Sequence, residues 1–139
     1  MKKFISTTIS LILTLTLILC LAACGNTVLK EGLWENAIYT EDTTLGEGSK
    51  TATVLYQIGE KKITFTVKTD KETLGEALLE HGIIEGKGDG LYPKVNGIVA
   101  DYNVDKSYWG FYVDGEYAMT GLDDTVIDEA VTYSLVYTK

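Results

Sequence analysis

The chain has no arginine, one histidine and two cysteines among its 139 residues. Twenty acidic residues face twelve lysines, so nucleic acid is a poor partner, because its phosphates need cationic neighbours. The formal charge of −8 serves solubility and keeps the chain off anionic surfaces. A single histidine, His81, excludes a site of two or more histidine ligands and, with no cysteine beyond residue 24, a Cys–His pair, and a serine triad would have to use His81 itself. His81 falls on the apolar face of a helix near its C-terminal end, where partial positive charge is welcome, and reads as a half-buried structural residue.

What the chain does have begins at the N-terminus. Met1-Lys2-Lys3 is a short basic start, Phe4 to Leu19 is apolar apart from Ser and Thr, and Leu21-Ala22-Ala23-Cys24 closes the run. This order predicts a secretory signal peptide over residues 1–23, cut before Cys24, with a lipid on the Cys24 thiol. Cys20 follows bulky Leu19 and is not the expected modification site. An uncleaved span over residues 4–23 would be long enough to cross a bilayer, but it has no use for the small-small-Cys ending. The expectation is therefore a lipoprotein anchored to the extracytoplasmic face of the cell membrane, not one spanning it. Cleavage leaves 116 of the 139 residues, enough for one small domain, and loss of Lys2 and Lys3 takes the charge from −8 to −10. Only the lipidated Cys24 would remain, so no disulfide, thiolate metal site or catalytic cysteine is expected.

Residues 24–50 read as a polar tether and lead-in, with Trp34, Ile38 and Tyr39 as apolar exceptions that could pin it to the domain. From Thr51 the hydrophobic period is two. Val54, Tyr56 and Ile58, then Ile63, Phe65 and Val67, alternate with polar neighbours across Gly59-Glu60-Lys61, which predicts a hairpin. Leu74, Ala77, Leu78 and His81 then follow helical spacing, predicting a helix over residues 71–81, started by a Thr69–Glu72 capping box or by Asp70 as a lone cap, with a stop at Gly82. Gly75 would let that helix approach the sheet. Asn96-Gly97 signals a tight turn or a bulge and Asp114-Gly115 a type I′ turn, residues 108–113 and 116–119 read as two strands, and Val131, Tyr133, Leu135 and Tyr137 as a last one. Strands, one helix and more strands give an α+β domain over residues 51–139, with the helix on one face of a mixed sheet.

Few residues invite chemistry. Asp101-Tyr102-Asn103-Val104-Asp105 matches half a calcium loop, but Lys106 stands where the loop needs glycine and Tyr112 where it needs a bidentate Glu. Gly86, Gly88 and Gly90 lack the helix start and Lys-Ser/Thr pair of a phosphate loop. Asp123-Asp124 and Asp128-Glu129 read as turn formers, and no enzyme activity is expected. The unusual feature is aromatic: Tyr102, Tyr108, Trp109, Phe111, Tyr112 and Tyr117 crowd 16 positions. In a strand, Trp109 and Phe111 share one face and Tyr108 and Tyr112 the other. One face belongs in the core, and the other could offer a flat amphipathic surface to a ring-bearing ligand or a partner protein. Ordinary sheet packing on both faces is the competing reading.

Leu74-Gly75-Glu76-Ala77-Leu78, Val95-Asn96-Gly97-Ile98 and Tyr108-Trp109-Gly110-Phe111-Tyr112-Val113-Asp114-Gly115-Glu116 resemble the DUF4430 domain, which is similar to the C-terminal β-domain of transcobalamin and intrinsic factor. The resemblance runs from about Thr51 to Lys139. It departs from the family pattern at Asp128-Glu129-Ala130, where a Gly-Asp turn is usual, and at Asp114, where Asn is common. It implies a β-grasp-like fold, a Gram-positive lipoprotein, and contact with one face of cobalamin or another corrinoid captured for a membrane transporter. The vertebrate carriers use a second, helical domain for much of that binding, and this chain has none in the stretch that the resemblance covers. The alternative expectation is a cell-surface protein-interaction module without a small ligand. The residues expected to carry ligand are Tyr102, Tyr108, Trp109, Phe111, Tyr112 and Tyr117.

Overall fold

Alternating residues set the central hairpin. In β2 (Lys50–Ile58), Ala52, Val54 and Tyr56 are fully buried, and in β3 (Lys61–Thr69) so are Phe65 and Val67, with Ile63 nearly so. The antiparallel register sets Ala52 against Val67, Val54 against Phe65 and Tyr56 against Ile63, so one apolar face is continuous. The computed structural model describes residues 32–86 and 91–139. The expected signal peptide, its cut and the lipidated Cys24 lie outside those residues, as do Gly88 and Gly90 of the glycine-rich loop.

The lead-in is part of the fold. Trp34, in a 3-10 turn over Gly32–Asn36, is buried edge-on against Tyr56 at 5.3 Å between ring centroids, and Tyr39 meets Phe65 at 5.6 Å. The strand β1 (Thr43–Leu45) then runs parallel to β3. The folded unit therefore starts before Thr51, because these side chains find core space and β1 pairs with β3. Ile38, expected as a third pin, keeps its side chain half exposed and contributes its N–H to Asn96 O at 3.1 Å.

The helix α1 (Leu74–Glu80) starts later than its periodicity predicts. Its capping box is Thr73 with Glu76, not Thr69 with Glu72. Residues 70–72 are claimed by other partners: Asp70 Oδ1 accepts from Ser49 N–H at 2.9 Å, and Glu72 O accepts from Ile127 N–H at 3.0 Å. The buried Thr69 hydroxyl accepts from Lys71 N–H at 3.0 Å. At the other end Gly82 N–H bonds Leu79 O and Ile83 N–H bonds Leu78 O, a Schellman stop. Gly75 does not serve approach to the sheet. A Cβ there would collide with Asp123 Oδ1 and lie 3.0 Å from Asp123 Cα, so the bare backbone admits the 3-10 turn Leu122–Asp124.

The last strand completes an α+β architecture. With β7 (Tyr108–Val113), β8 (Glu116–Tyr117) and β9 (Thr132–Thr138), the six-stranded mixed sheet has the order β1-β3-β2-β9-β7-β8. In it β9 lies parallel to β2 and antiparallel to β7. A smaller sheet joins β4 (Ile84–Glu85), β5 (Lys94–Val95) and β6 (Ile98–Val99). Asp114-Gly115 makes the expected type I′ turn, with φ of 49° and 81°, and Asn96-Gly97 resolves as a turn of the same type, with φ of 50° and 81°, not a bulge. The return strand β8 is shorter than the expected 116–119.

Candidate ligand-binding site

Strand alternation sorts the aromatic hairpin. Trp109 and Phe111 point to the core face. Trp109 stacks on Tyr56 at 5.1 Å, meets Tyr137 edge-on at 5.3 Å, and donates its Nε1 to Ile98 O at 3.3 Å. Phe111 stacks on Tyr133 at 6.2 Å. Both remain half-buried. Tyr108 and Tyr112 take the outer face. Tyr112 folds over Gly110, where a Cβ would lie 2.9 Å from its ring, and meets Tyr117 edge-on at 5.4 Å.

A cavity of about 780 Å³ opens beside this hairpin. Tyr102, Tyr108, Trp109, Phe111 and Tyr117 line it, and Tyr112 does not. The structure therefore brings together five of the six aromatics singled out from the sequence; Tyr112, committed to Gly110 and Tyr117, lies apart. The opposite wall comes from residues that sequence reasoning missed: Leu91, Tyr92 and Pro93 before β5, and Ala118 to Leu122 after β8. Their only sequence signal is isolated apolar residues in polar loops. Met119 is 95% exposed and Leu91 76% exposed, and Tyr102 and Tyr117 are also open to solvent. Exposed apolar side chains gathered around one cavity mark a surface that something covers.

Among the described residues no charged side chain lines the cavity; its polar groups are Ser107, Thr120 and tyrosine hydroxyls. Several of these are already engaged. Ser107 Oγ accepts from Asp101 N–H at 3.0 Å and donates to the Asp105 carboxylate. Tyr92 donates its hydroxyl to Asp123 Oδ1 at 2.5 Å. Burial first, then this acceptor and its negative charge, push the Tyr92 hydroxyl up to about 12.

The half calcium loop is spent locally. Asp101 caps the single helical turn α2 (Tyr102–Asp105), its Oδ1 accepting from Asn103 N–H at 2.9 Å. Asp105 accepts from Ser107 and pairs with Lys139 at 3.3 Å, and the Ser107 hydrogen bonds hold its carboxyl below the usual range. His81, at the end of α1, is half-buried near Glu80 and does not line the cavity.

The tyrosines make one prediction about pH. Burial also raises the hydroxyl of Tyr56 well above its ordinary 10.0. Groups raised in the folded state contribute stability that is fully present below the unfolded value and lost as pH rises through the folded one. Resistance to urea should hold up to about pH 10 and fall progressively above it, and Tyr92→Phe should remove part of that fall. Tryptophan-monitored urea unfolding between pH 8 and pH 12 checks this; a midpoint as pH-independent above 10 as below it would contradict the assignment.

No family model and no curated protein matches the chain. Among solved structures, it is similar to a protein of Ruminococcus gnavus ATCC 29149 to which metal binding has been ascribed conjecturally. The TM-score is 0.60 at 24% identity, over 66% of this chain and 98% of that one. It also matches haptocorrin, solved in complex with Cbi, with a TM-score of 0.49 at 16% identity, over 65% of this chain and 25% of that one. At 24% identity the likeness to the Ruminococcus gnavus protein is one of fold.

Proposed function

We propose that the chain is a binding module that captures a flat, ring-bearing small molecule in the cavity beside β7. The carrying observation is a cavity of about 780 Å³, walled by aromatic and aliphatic side chains, without a charged lining residue among the described residues. That size and character suit a drug-sized or larger ligand held by stacking and apolar burial. Trp109 and Phe111 line the cavity with rings already stacked on Tyr56 and Tyr133, so little side-chain freedom is lost on binding. The exposed Met119, Leu91, Tyr102 and Tyr117 would close over the ligand rim. The DUF4430 resemblance makes cobalamin or another corrinoid the first ligand to test. The lipobox motif supports a lipid on Cys24 that holds the module at the extracytoplasmic face of the membrane, where it would serve a transporter. The role is binding without catalysis, in keeping with the engaged carboxylates and the uncharged cavity.

Titration of a soluble form starting at Gly25 with cobalamin and cobinamide, followed by corrin absorbance and calorimetric heat, tests this reading. A Kd of about 1 µM or tighter, about −8 kcal/mol, is expected. Met119→Asp and Tyr102→Ala should each weaken binding about tenfold or more, while Tyr112→Ala, outside the cavity, should change it less than about threefold. Silence up to millimolar ligand removes corrinoids. Equal losses for Tyr112→Ala and Tyr102→Ala would remove the cavity as their site. A second reading, a protein-interaction module, is favoured by the shortness of β8.

A further inference from the structure

The hairpin's return strand is too short to cover β7. β8 pairs only with Tyr112 and Val113. One more bond follows, from Ala118 N–H to Phe111 O at 2.9 Å, before the chain turns away through residues 119–121. In a strand, the N–H and C=O of alternate residues face opposite edges. Asp114 N–H bonds Thr132 O, which assigns the even-numbered residues of this strand to the β9 side. Phe111 O meets Ala118, which assigns the odd-numbered residues to the other side. On that other edge, Trp109 N–H, Trp109 C=O and Phe111 N–H have no hydrogen-bond partner among the described residues. Both residues line the cavity, so the open edge borders an apolar space.

We propose that this edge docks an extended segment of a partner protein, which adds a strand beside β7 and seats alternate side chains in the cavity. The site overlaps the one proposed for a small molecule but does not depend on that reading. The unpaired groups repeat at the two-residue spacing of a strand, roughly 7 Å, which an extended backbone matches with one residue's N–H and C=O facing Trp109. Charge decides the kind of segment. Among the described residues no charged side chain lines the cavity, while exposed Asp101, Glu116, Asp123 and Asp124 adjoin its lining residues in sequence and outnumber the two adjoining lysines, Lys106, which lies over the Tyr102 ring, and Lys94, which is paired with Glu85. The fitting partner has an uncharged apolar core of about four residues with lysine or arginine on its flanks. A second copy of this chain is the poorer occupant, since each carries a formal charge of −8.

The test uses the full chain in lipid nanodiscs of zwitterionic phosphatidylcholine, with the probe acetyl-Lys-Lys-Val-Thr-Val-Tyr-Val-Lys-Lys-amide. Binding at about 100 µM or tighter is expected. Methylating the probe's alternate backbone nitrogens, in each of the two possible registers, should weaken it about tenfold in one register only. Hydrogen exchange at the Trp109 and Phe111 amides, resolved residue by residue, should slow about tenfold at saturation. Binding without that protection, equal loss in both methylated registers, or no binding up to millimolar probe would each overturn the proposal. Corrinoid titration of the same nanodiscs reports separately on the small-molecule reading, so either can fail while the other stands.

Discussion

Tyr56→Ala is expected to cost about 4 kcal/mol of stability, the upper range for deleting a large buried ring. Tyr56 is fully buried and its ring touches three others: Trp34 edge-on at 5.3 Å, Phe65 at 6.0 Å and Trp109 stacked at 5.1 Å. Those partners come from the lead-in turn, from β3 and from β7, so one deletion loosens three elements that the chain does not connect locally. Collapse of the neighbours would have to move backbone in a paired sheet, and the gap should therefore stay largely open. The hydroxyl matters far less. Its contact with Val95 O is 3.4 Å long, so Tyr56→Phe should cost under about 1 kcal/mol. Urea unfolding of the two variants separates ring from hydroxyl. A loss below about 1.5 kcal/mol for the alanine variant would mean that the aromatic cluster is not the keystone of the core. The effect also reaches the cavity, because Trp109 takes its position from Tyr56. At a temperature where Tyr56→Ala is still folded, its ligand affinity should fall although Tyr56 does not line the site.

Asn96→Ala is the second large effect, about 3 kcal/mol, and its origin is polar. Asn96 is fully buried, with Oδ1 accepting from Tyr39 N–H at 2.9 Å and Nδ2 donating to Tyr39 O at 2.8 Å. The side chain acts as a strand partner for one residue of the lead-in. Truncation leaves both backbone groups of the partly buried Tyr39 without this partner. Alanine also meets strain, since Asn96 has φ of 50° in its type I′ turn, where a β-carbon costs about 1 kcal/mol. Asn96→Gly removes the same hydrogen bonds without that strain and should therefore be about 1 kcal/mol more stable than Asn96→Ala. Equal stabilities for the two would show that the turn carries no strain. Losses under about 1 kcal/mol in both would show that the Tyr39 pairing contributes little.

Asn96 also shows how a local signal can be read correctly and incompletely. Asn-Gly marks a tight turn in any sequence, because both residues tolerate positive φ, and that turn is where the sequence places it. Nothing in the neighbouring residues says that its side chain will pair with a backbone 57 positions away. The helix is a similar case. Its apolar period and its Gly82 stop are local and were legible. Its first turn was not, because Ser49 and Ile127, both distant in sequence, take the groups of residues 70–72. Local capping competes with tertiary hydrogen bonds, and here the tertiary partners won.

The candidate site divides in the same way. Alternation in β7 puts Trp109 and Phe111 together and sets Tyr108 and Tyr112 opposite, and this follows from strand geometry alone. Which pair faces the core depends on what lies across the sheet: Tyr56 on β2 and Tyr133 on β9 offer ring faces to Trp109 and Phe111. The far wall of the cavity, residues 91–93 and 118–122, has no period to betray it, because loops take their shape from the elements that they bridge.

By itself the sequence determined the α+β class, the central hairpin, the helix and its stop, the type I′ turn at Asp114-Gly115 and the crowding of aromatics in one segment. Each of these arises from interactions within a few residues or from a simple hydrophobic period. Only the tertiary structure decided that the lead-in belongs to the fold, that Gly75 makes room for Asp123, that Tyr112 stands apart from the cavity, and that β7 keeps an open edge beside it. These features depend on surfaces brought together from distant parts of the chain, where packing and unpaired hydrogen-bonding groups, not local propensity, select the arrangement.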